Sequence, residues 1–314
     1  MILGDTFQAL LQTLLGVQFA RSKILLGITA VCLLPLCLLK DLASLAPFSL
    51  LGIIGMIYTT FAMGMRYFSG MYKLPDGPLL ADLAANLQPS FGTVGASGIT
   101  NPSSFILICM LSTAYIAHFN APKFYRELKN NTIPRYNKVV YSSFAISIAI
   151  FAAVASLGFL TFGQASSGLI LNNYSTKDSL MTISRVAVAI SIVFSYPLAF
   201  TGARDGLLDL FNIPASDRTN ALLNKATVGI LSVVTAFALK LRDLTFLLSF
   251  GGATLGNALI YIFPAFMFRG AVMKMKDEGL KKKLKKEVGL GMFIAAVGAI
   301  MGGIGTKMAL ASLK

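Results

Sequence analysis

The chain has 314 residues, 55% apolar and only 13% charged, whereas a soluble domain carries about 25% charge. That excludes an ordinary soluble enzyme and leaves an integral membrane protein. The apolar residues form blocks of about twenty rather than alternating segments of about ten, which selects a helix bundle over a β-barrel. A net charge of +14 would suit nucleic acid, but the basic residues collect in a few short connections between apolar blocks, as the positive-inside rule requires.

The first block, Met1 to Val17, is short for a span and carries Asp5 where hydrocarbon should be. It lacks the basic start and small-residue cleavage site of a signal peptide. Asp5 either lies on a proton or substrate pathway or caps a helix start near the interface, where a carboxylate costs little. The second block runs from Ile24 to Leu39 and the third from Ala46 to Met65, joined at Lys40 and Asp41. Arg66 to Ser104 is a long connection rich in Gly, Pro and small polar residues, the pattern of a binding loop, a lid or a disordered segment.

The next block is interrupted. Phe105 to Ile116 could enter a bilayer, yet His118, Asn120 and Pro122 follow halfway through the crossing. Proline removes a donor and disfavours helix in the residue before it, so the ladder should break near Asn120 to Pro122. Irregular backbone at membrane depth is tolerated only where it is buried in protein or lines a wet cavity, which makes a broken span a candidate binding site. His118 is the chain's single histidine; it either meets a ligand or proton, or satisfies a freed carbonyl. Asn120 offers donors and an acceptor to a zwitterion or to the broken ladder.

A basic connection, Lys123 to Lys138, leads to a fifth block at Val139 to Phe162 and a sixth at Thr182 to Gly202. In the sixth, Ser191 and Ser195 lie one turn apart on one face, followed by Tyr196 and Pro197. Hydroxyls together with carbonyls freed by proline make a hard oxygen cage for a small cation; the plainer reading is hydroxyls bonded back to their own helix. Further blocks are Ala226 to Leu239, Leu244 to Phe268 and Val288 to Leu310, giving about nine transmembrane segments.

The connections 120–138, 204–225 and 269–287 hold five, three and eight Lys and Arg, against one in 163–181 and two in 240–243. The basic connections therefore face the cytosol. On that topology Asn173-Tyr174-Ser175 is an outward glycosylation triplet and Asn130-Asn131-Thr132 an inward one, so only Asn173 should carry a glycan. Lys281 to Lys286 reads first as a solvated cytosolic loop and second as a binding site for anionic lipid head groups. Gly298 and Gly302 should allow close helix packing. Cys32, Cys37 and Cys109 sit inside apolar blocks, without disulfide or zinc spacing. The sequence contains no Walker loop, metal-ligand cluster or nucleophile elbow, so neither a resident cofactor nor an enzyme is expected. Nothing in the pattern specifies an oligomeric state.

Three stretches, AHFNAPKFYREL at 117–128, GFLTFGQASSGLILNNYSTKD at 158–178 and SRVAVAISIVFSYPLAFTGARDGL at 184–207, resemble the amino acid/auxin permease family in its sodium-coupled neutral amino acid transporter branch. LLPLCLLKDLASLAPFSLLG at 33–52 fits the same family, and the likeness runs end to end. It implies a LeuT-type helix bundle of the APC superfamily, with substrate and cation at the midplane between two inverted repeats. By that resemblance the broken span matches the family's sixth, so Ala117, His118, Phe119 and Asn120 would line the substrate pocket. Ser195, with Ser191 beside it, would bind the coupling cation, Na⁺ or H⁺.

ILGD at 2–5 resembles the middle of the family's third span, so an N-terminally truncated form is expected. Residues 1–104 would be the remainder of the first repeat with an outer loop, 105–268 the second repeat, and 269–314 the basic loop and last span. The function implied is cation-coupled transport of neutral amino acids in a plasma, vacuolar or lysosomal membrane, with amino acid and lipid as partners and no nucleic acid. A non-transporting scaffold fragment is the alternative, and an intramembrane acyltransferase using His118 and Asn120 a remote one.

Overall fold

The structure is a computed structural model that describes residues 2–16, 19–39, 46–92, 104–116, 121–241 and 243–311. Twelve α-helices occur among them: α1 (Ile2–Leu15), α2 (Arg21–Ile28), α3 (Leu34–Leu38), α4 (Ala46–Phe68), α5 (Ser104–Ala114), α6 (Ala121–Glu127), α7 (Ile133–Phe162), α8 (Ser179–Leu210), α9 (Asn220–Lys240), α10 (Leu244–Gly251), α11 (Phe263–Met273) and α12 (Glu278–Ala311). No strand forms among the described residues beyond a single bridge between Ser90 and Gly163.

Among the described residues, seven helical rods are long and apolar enough to cross a membrane. The other two of the nine expected segments are shorter: α1 has 14 residues and α5 has 11. At 1.5 Å per residue α5 reaches about 16 Å, half the hydrocarbon thickness.

Two of the rods are joined by π turns. Thr29–Leu33 links α2 to α3, and Gly252–Gly256 with Ala258–Ile262 link α10 to α11. Each lies just before a proline, Pro35 or Pro264. A proline ring clashes with the carbonyl four residues back, and a widened turn lets the rod continue past it.

Packing divides the chain into two compact units, Met1–Gly92 with Ala145–Arg242 and Thr93–Phe144 with Asp243–Lys314. In the first unit α4 lies against α8 through small residues. A Cβ added at Gly52 would fall 2.5 Å from Ser191 Oγ, and one at Gly55 would fall 2.9 Å from Ala187 Cβ. Close backbone approach of this kind replaces the hydrophobic drive that lipid does not supply. Leu3 and Leu10 of α1 share a buried cluster with Ile24, Ile28 and Ala189.

The connections 69–92 and 163–178 fold together into a cap on one end of this unit. Phe162, Tyr72 and Tyr174 form its centre, with ring centroids 4.9–5.5 Å apart. Each such aromatic pair adds about 0.5–1.5 kcal/mol beyond the area it buries. Ser90 donates to the Phe162 carbonyl and accepts from Gln164 N. Gly163 between them has φ +59, and a Cβ there would meet Ser90 O at 2.3 Å, so only glycine fits. Both connections therefore lie on one side of the unit, as the charge-derived topology requires.

The cap overturns the glycan expectation. Asn173 is fully buried; its Oδ1 accepts from Ser167 N at 2.8 Å and its Nδ2 donates to Ala165 O at 2.7 Å. The atom that would carry the sugar holds a turn of the cap together, so the triplet is a structural element and not a glycosylation site.

In the second unit, α12 buries its small residues and exposes its large ones. Ala295, Gly298, Gly302 and Gly305 face inward, whereas Phe293, Val297 and Ile300 are exposed, the pattern of a helix that meets neighbours on one face and lipid on the other. Asn257, between the two π turns, donates to Gly298 O at 2.6 Å.

Candidate functional site

Within the second unit the interrupted span is anchored on both sides of its gap. The helix α5 ends at Ala114, and Ile116 N turns back onto Thr113 O in a 3₁₀-type bond. The hydroxyl of Thr113 donates to Leu248 O at 2.8 Å, tying the end of α5 to α10. Tyr115 stacks on Phe144 of α7, with centroids 5.6 Å apart and planes 16° from parallel.

The chain is helical again from Ala121, with Pro122 in the first turn, where its missing N–H costs nothing. Tyr136 donates to Ala121 O at 3.2 Å and packs edge-on against Tyr125. The carbonyls at the end of a stopped helix and the amides at the start of the next have no partners in their own ladders. At the end of α5, Leu111 O accepts from Tyr115 N and Thr113 O from Ile116 N, just before the segment between the two helices. That segment, Ala117, His118, Phe119 and Asn120, lies outside the described residues.

The other sequence-derived positions belong to the first unit. Helix α8 is continuous through Pro197, which leaves the Val193 carbonyl without its usual donor. Ser191 is half-buried and faces Gly52 on α4. Ser195 is exposed, and its hydroxyl donates to Ile192 O at 3.3 Å. The carboxylate of Asp5 pairs with Arg21 of α2 at 2.6 Å, joining the first two helices.

Sequence reasoning missed a buried ionic network beneath the cap. Asp178 is 1% exposed. Arg66 at the end of α4 donates to both its oxygens, Nε to Oδ2 at 2.9 Å and Nη2 to Oδ1 at 2.7 Å. Tyr72 adds a third donor at 2.9 Å, and the amides of Leu180 and Met181 complete an N-cap on α8. Arg185, one turn further along, holds the carbonyls of Leu171 and Tyr174 at 2.9 and 2.8 Å.

Burial, followed by the Asp178 charge, pushes the Tyr72 phenol well above its ordinary range; burial lifts Tyr174 to about 12. Tyr72 therefore stays a neutral donor to Asp178 at any physiological pH. A cavity of about 620 Å³ opens beside the network, between Arg66, Tyr72, Lys73 and Phe91. The available signal was Asp178 immediately before an apolar helix, a standard N-cap position, with Arg66 and Arg185 at the edges of apolar runs.

Long apolar rods and a helix that stops and restarts occur in many membrane proteins, so comparison with known proteins decides the family. A family model described as transmembrane amino acid transporter protein matches residues 1–310. The chain belongs to the transmembrane amino acid transporter family. This is a family of transporters, not enzymes, so the acyltransferase alternative falls away, and the chain is a multi-pass membrane protein.

Among its relatives are the proteins named "Putative sodium-coupled neutral amino acid transporter 11" of Bos taurus, 26% identical over 99% of this chain and 63% of its own length, and of Danio rerio, 26% identical over 96% and 64%. Vacuolar amino acid transporter 2 of Saccharomyces cerevisiae is 22% identical over 90% and 59%. The chain thus spans about three fifths of the length of these relatives. No solved structure matches it.

Proposed function

We propose that this permease chain serves cation-coupled secondary transport of neutral amino acids by alternating access, in a LeuT-type arrangement of two inverted repeats. The observation that carries the reading is the stop of α5 at Ala114 and the restart of α6 at Ala121, in a chain of this family. Main-chain groups left open at half-depth suit the ammonium and carboxylate of a zwitterion, which apolar side chains cannot satisfy.

In this reading Ala117, His118, Phe119 and Asn120 line the substrate pocket, and Ser195, with Ser191 behind it, contributes oxygen ligands to Na⁺ or takes part in H⁺ coupling. Nine crossings result when α1 and the α5–α6 pair are each counted as one. Substrate and cation together favour one facing state, and that differential affinity drives the rocking of one helix group against the other. The names of the relatives support neutral amino acids and sodium in one case and a vacuolar membrane in another.

The test is uptake of radiolabelled neutral amino acids into proteoliposomes containing the full-length protein encoded by the gene. His118→Ala and Ser195→Ala are each expected to lower uptake about tenfold or more at unchanged protein level, the scale of one lost ligand bond of about 1.5–3 kcal/mol. Unchanged kinetics in both variants would remove these residues from the mechanism.

A further inference from the structure

The 34 residues of α12 make a rod of about 51 Å, against a hydrocarbon core of about 30 Å. Its apolar part begins at Val288, so Glu278 to Glu287 extends beyond the bilayer and carries Lys281, Lys282, Lys283, Lys285 and Lys286. These lysines do not share one face. Glu278, Lys281, Lys282 and Lys285 are spaced i, i+3, i+4, i+7, which puts them on one strip, and that strip lines a cavity of about 550 Å³ shared with α11.

From α11 the cavity is lined by Arg269, Val272 and Met273, and from α12 also by Val288. Four cations thus surround one carboxylate. Glu278 is already engaged by Lys281 at 2.9 Å, and among the described residues Arg269, Lys282 and Lys285 carry no ion pair. Asp277, beside Glu278, spends its Oδ1 on the amides of Gly279 and Leu280, capping the helix, and Glu287 lies off the strip formed by Glu278, Lys281, Lys282 and Lys285. Three cations without an ion pair, in a cavity also lined by Val272, Met273 and Val288 where the apolar part of α12 begins, match an amphiphile with a head group of more than one negative charge.

We propose that the α11–α12 cavity is a binding site for an anionic phospholipid bearing more than one phosphate, its phosphates held by Arg269, Lys282 and Lys285 and its glycerol end against Val272 and Val288. The basic connection faces the cytosol by the positive-inside rule, the leaflet in which such lipids are held. The site does not depend on the transport reading, since it uses none of the residues assigned there.

The experiment measures binding of fluorescent short-chain phosphatidylinositol bisphosphate to the purified full-length protein in detergent, with phosphatidylserine and inositol trisphosphate as competitors. Saturable binding is expected. Lys282→Gln with Lys285→Gln should weaken it about tenfold or more, on the scale of about 1 kcal/mol for each lysine. Lys283→Gln with Lys286→Gln removes the same charge from outside the strip and should weaken it no more than about twofold. Equal weakening by the two pairs would overturn the site in favour of diffuse attraction. Phosphatidylserine competing as well at equal total charge would do the same. Inositol trisphosphate binding as tightly as the lipid would overturn the lipid assignment. Both variant pairs alter exposed side chains, and matched thermal stability excludes misfolding as the cause.

Discussion

Asp178→Ala is expected to release the cap at a cost of about 3–5 kcal/mol, the range for removing one partner of a buried ion pair. The carboxylate collects Arg66, Tyr72 and two amides of α8 in a site with 1% exposure. Without it a guanidinium and a phenol lose their acceptor at once, and the helix start loses a cap worth about 1 kcal/mol. The loss should be local. Amide hydrogen exchange over 163–178 should speed up, and protease should cut within 69–92, while the α4–α8 packing through Gly52 and Gly55 persists. Asp178→Asn keeps an oxygen for the helix cap and for one donor, so a smaller loss is expected. Exchange at wild-type rates in Asp178→Ala would show that the network is incidental to the cap.

Gly252→Ala is expected to be the more disruptive change in the second unit. An added Cβ would lie 1.8 Å from the Cys109 carbonyl and 2.5 Å from Thr113 Oγ1. The first is backbone, so α10 and α5 would have to separate. Overpacking of this kind costs about 1–3 kcal/mol or more, and here it also breaks the Thr113 to Leu248 hydrogen bond that fixes the end of α5. Gly251 is the control, because nothing lies within 4 Å of a Cβ placed there. Thermal stability in detergent should fall for Gly252→Ala and stay level for Gly251→Ala; equal behaviour of the two would contradict the crossing described.

The helical blocks were legible in the sequence because hydropathy acts over a whole rod and does not depend on partners. A break was expected at Asn120 to Pro122 from the proline and its polar neighbours; the helix instead ends at Ala114, Pro122 lies in the first turn of α6, and Asn120 is outside the described residues. The cap was not legible. Arg66 and Asp178 are 112 positions apart, and each alone reads as an ordinary charge at the edge of an apolar run. Asn173 was misread because the glycosylation triplet is a local pattern, whereas burial is set by Ala165 and Ser167 folding over it. The two shorter helices, α1 with 14 residues and α5 with 11, fall where the sequence already showed a short first block and an interrupted one. The crossing of α5 and α10 rests on Gly252 lacking a Cβ, which composition registers only as one glycine among 28.

The most direct test concerns the four positions between α5 and α6. In a full-length protein with Cys32, Cys37 and Cys109 replaced, single cysteines at Ala117, His118, Phe119 and Asn120 would be labelled by a membrane-impermeant thiol reagent, with and without a saturating neutral amino acid. An interrupted span that grips substrate predicts labelling from the aqueous phase at two or more of these positions and protection by the amino acid. Cysteines that stay unlabelled, or that label at the same rate with substrate present, would contradict it.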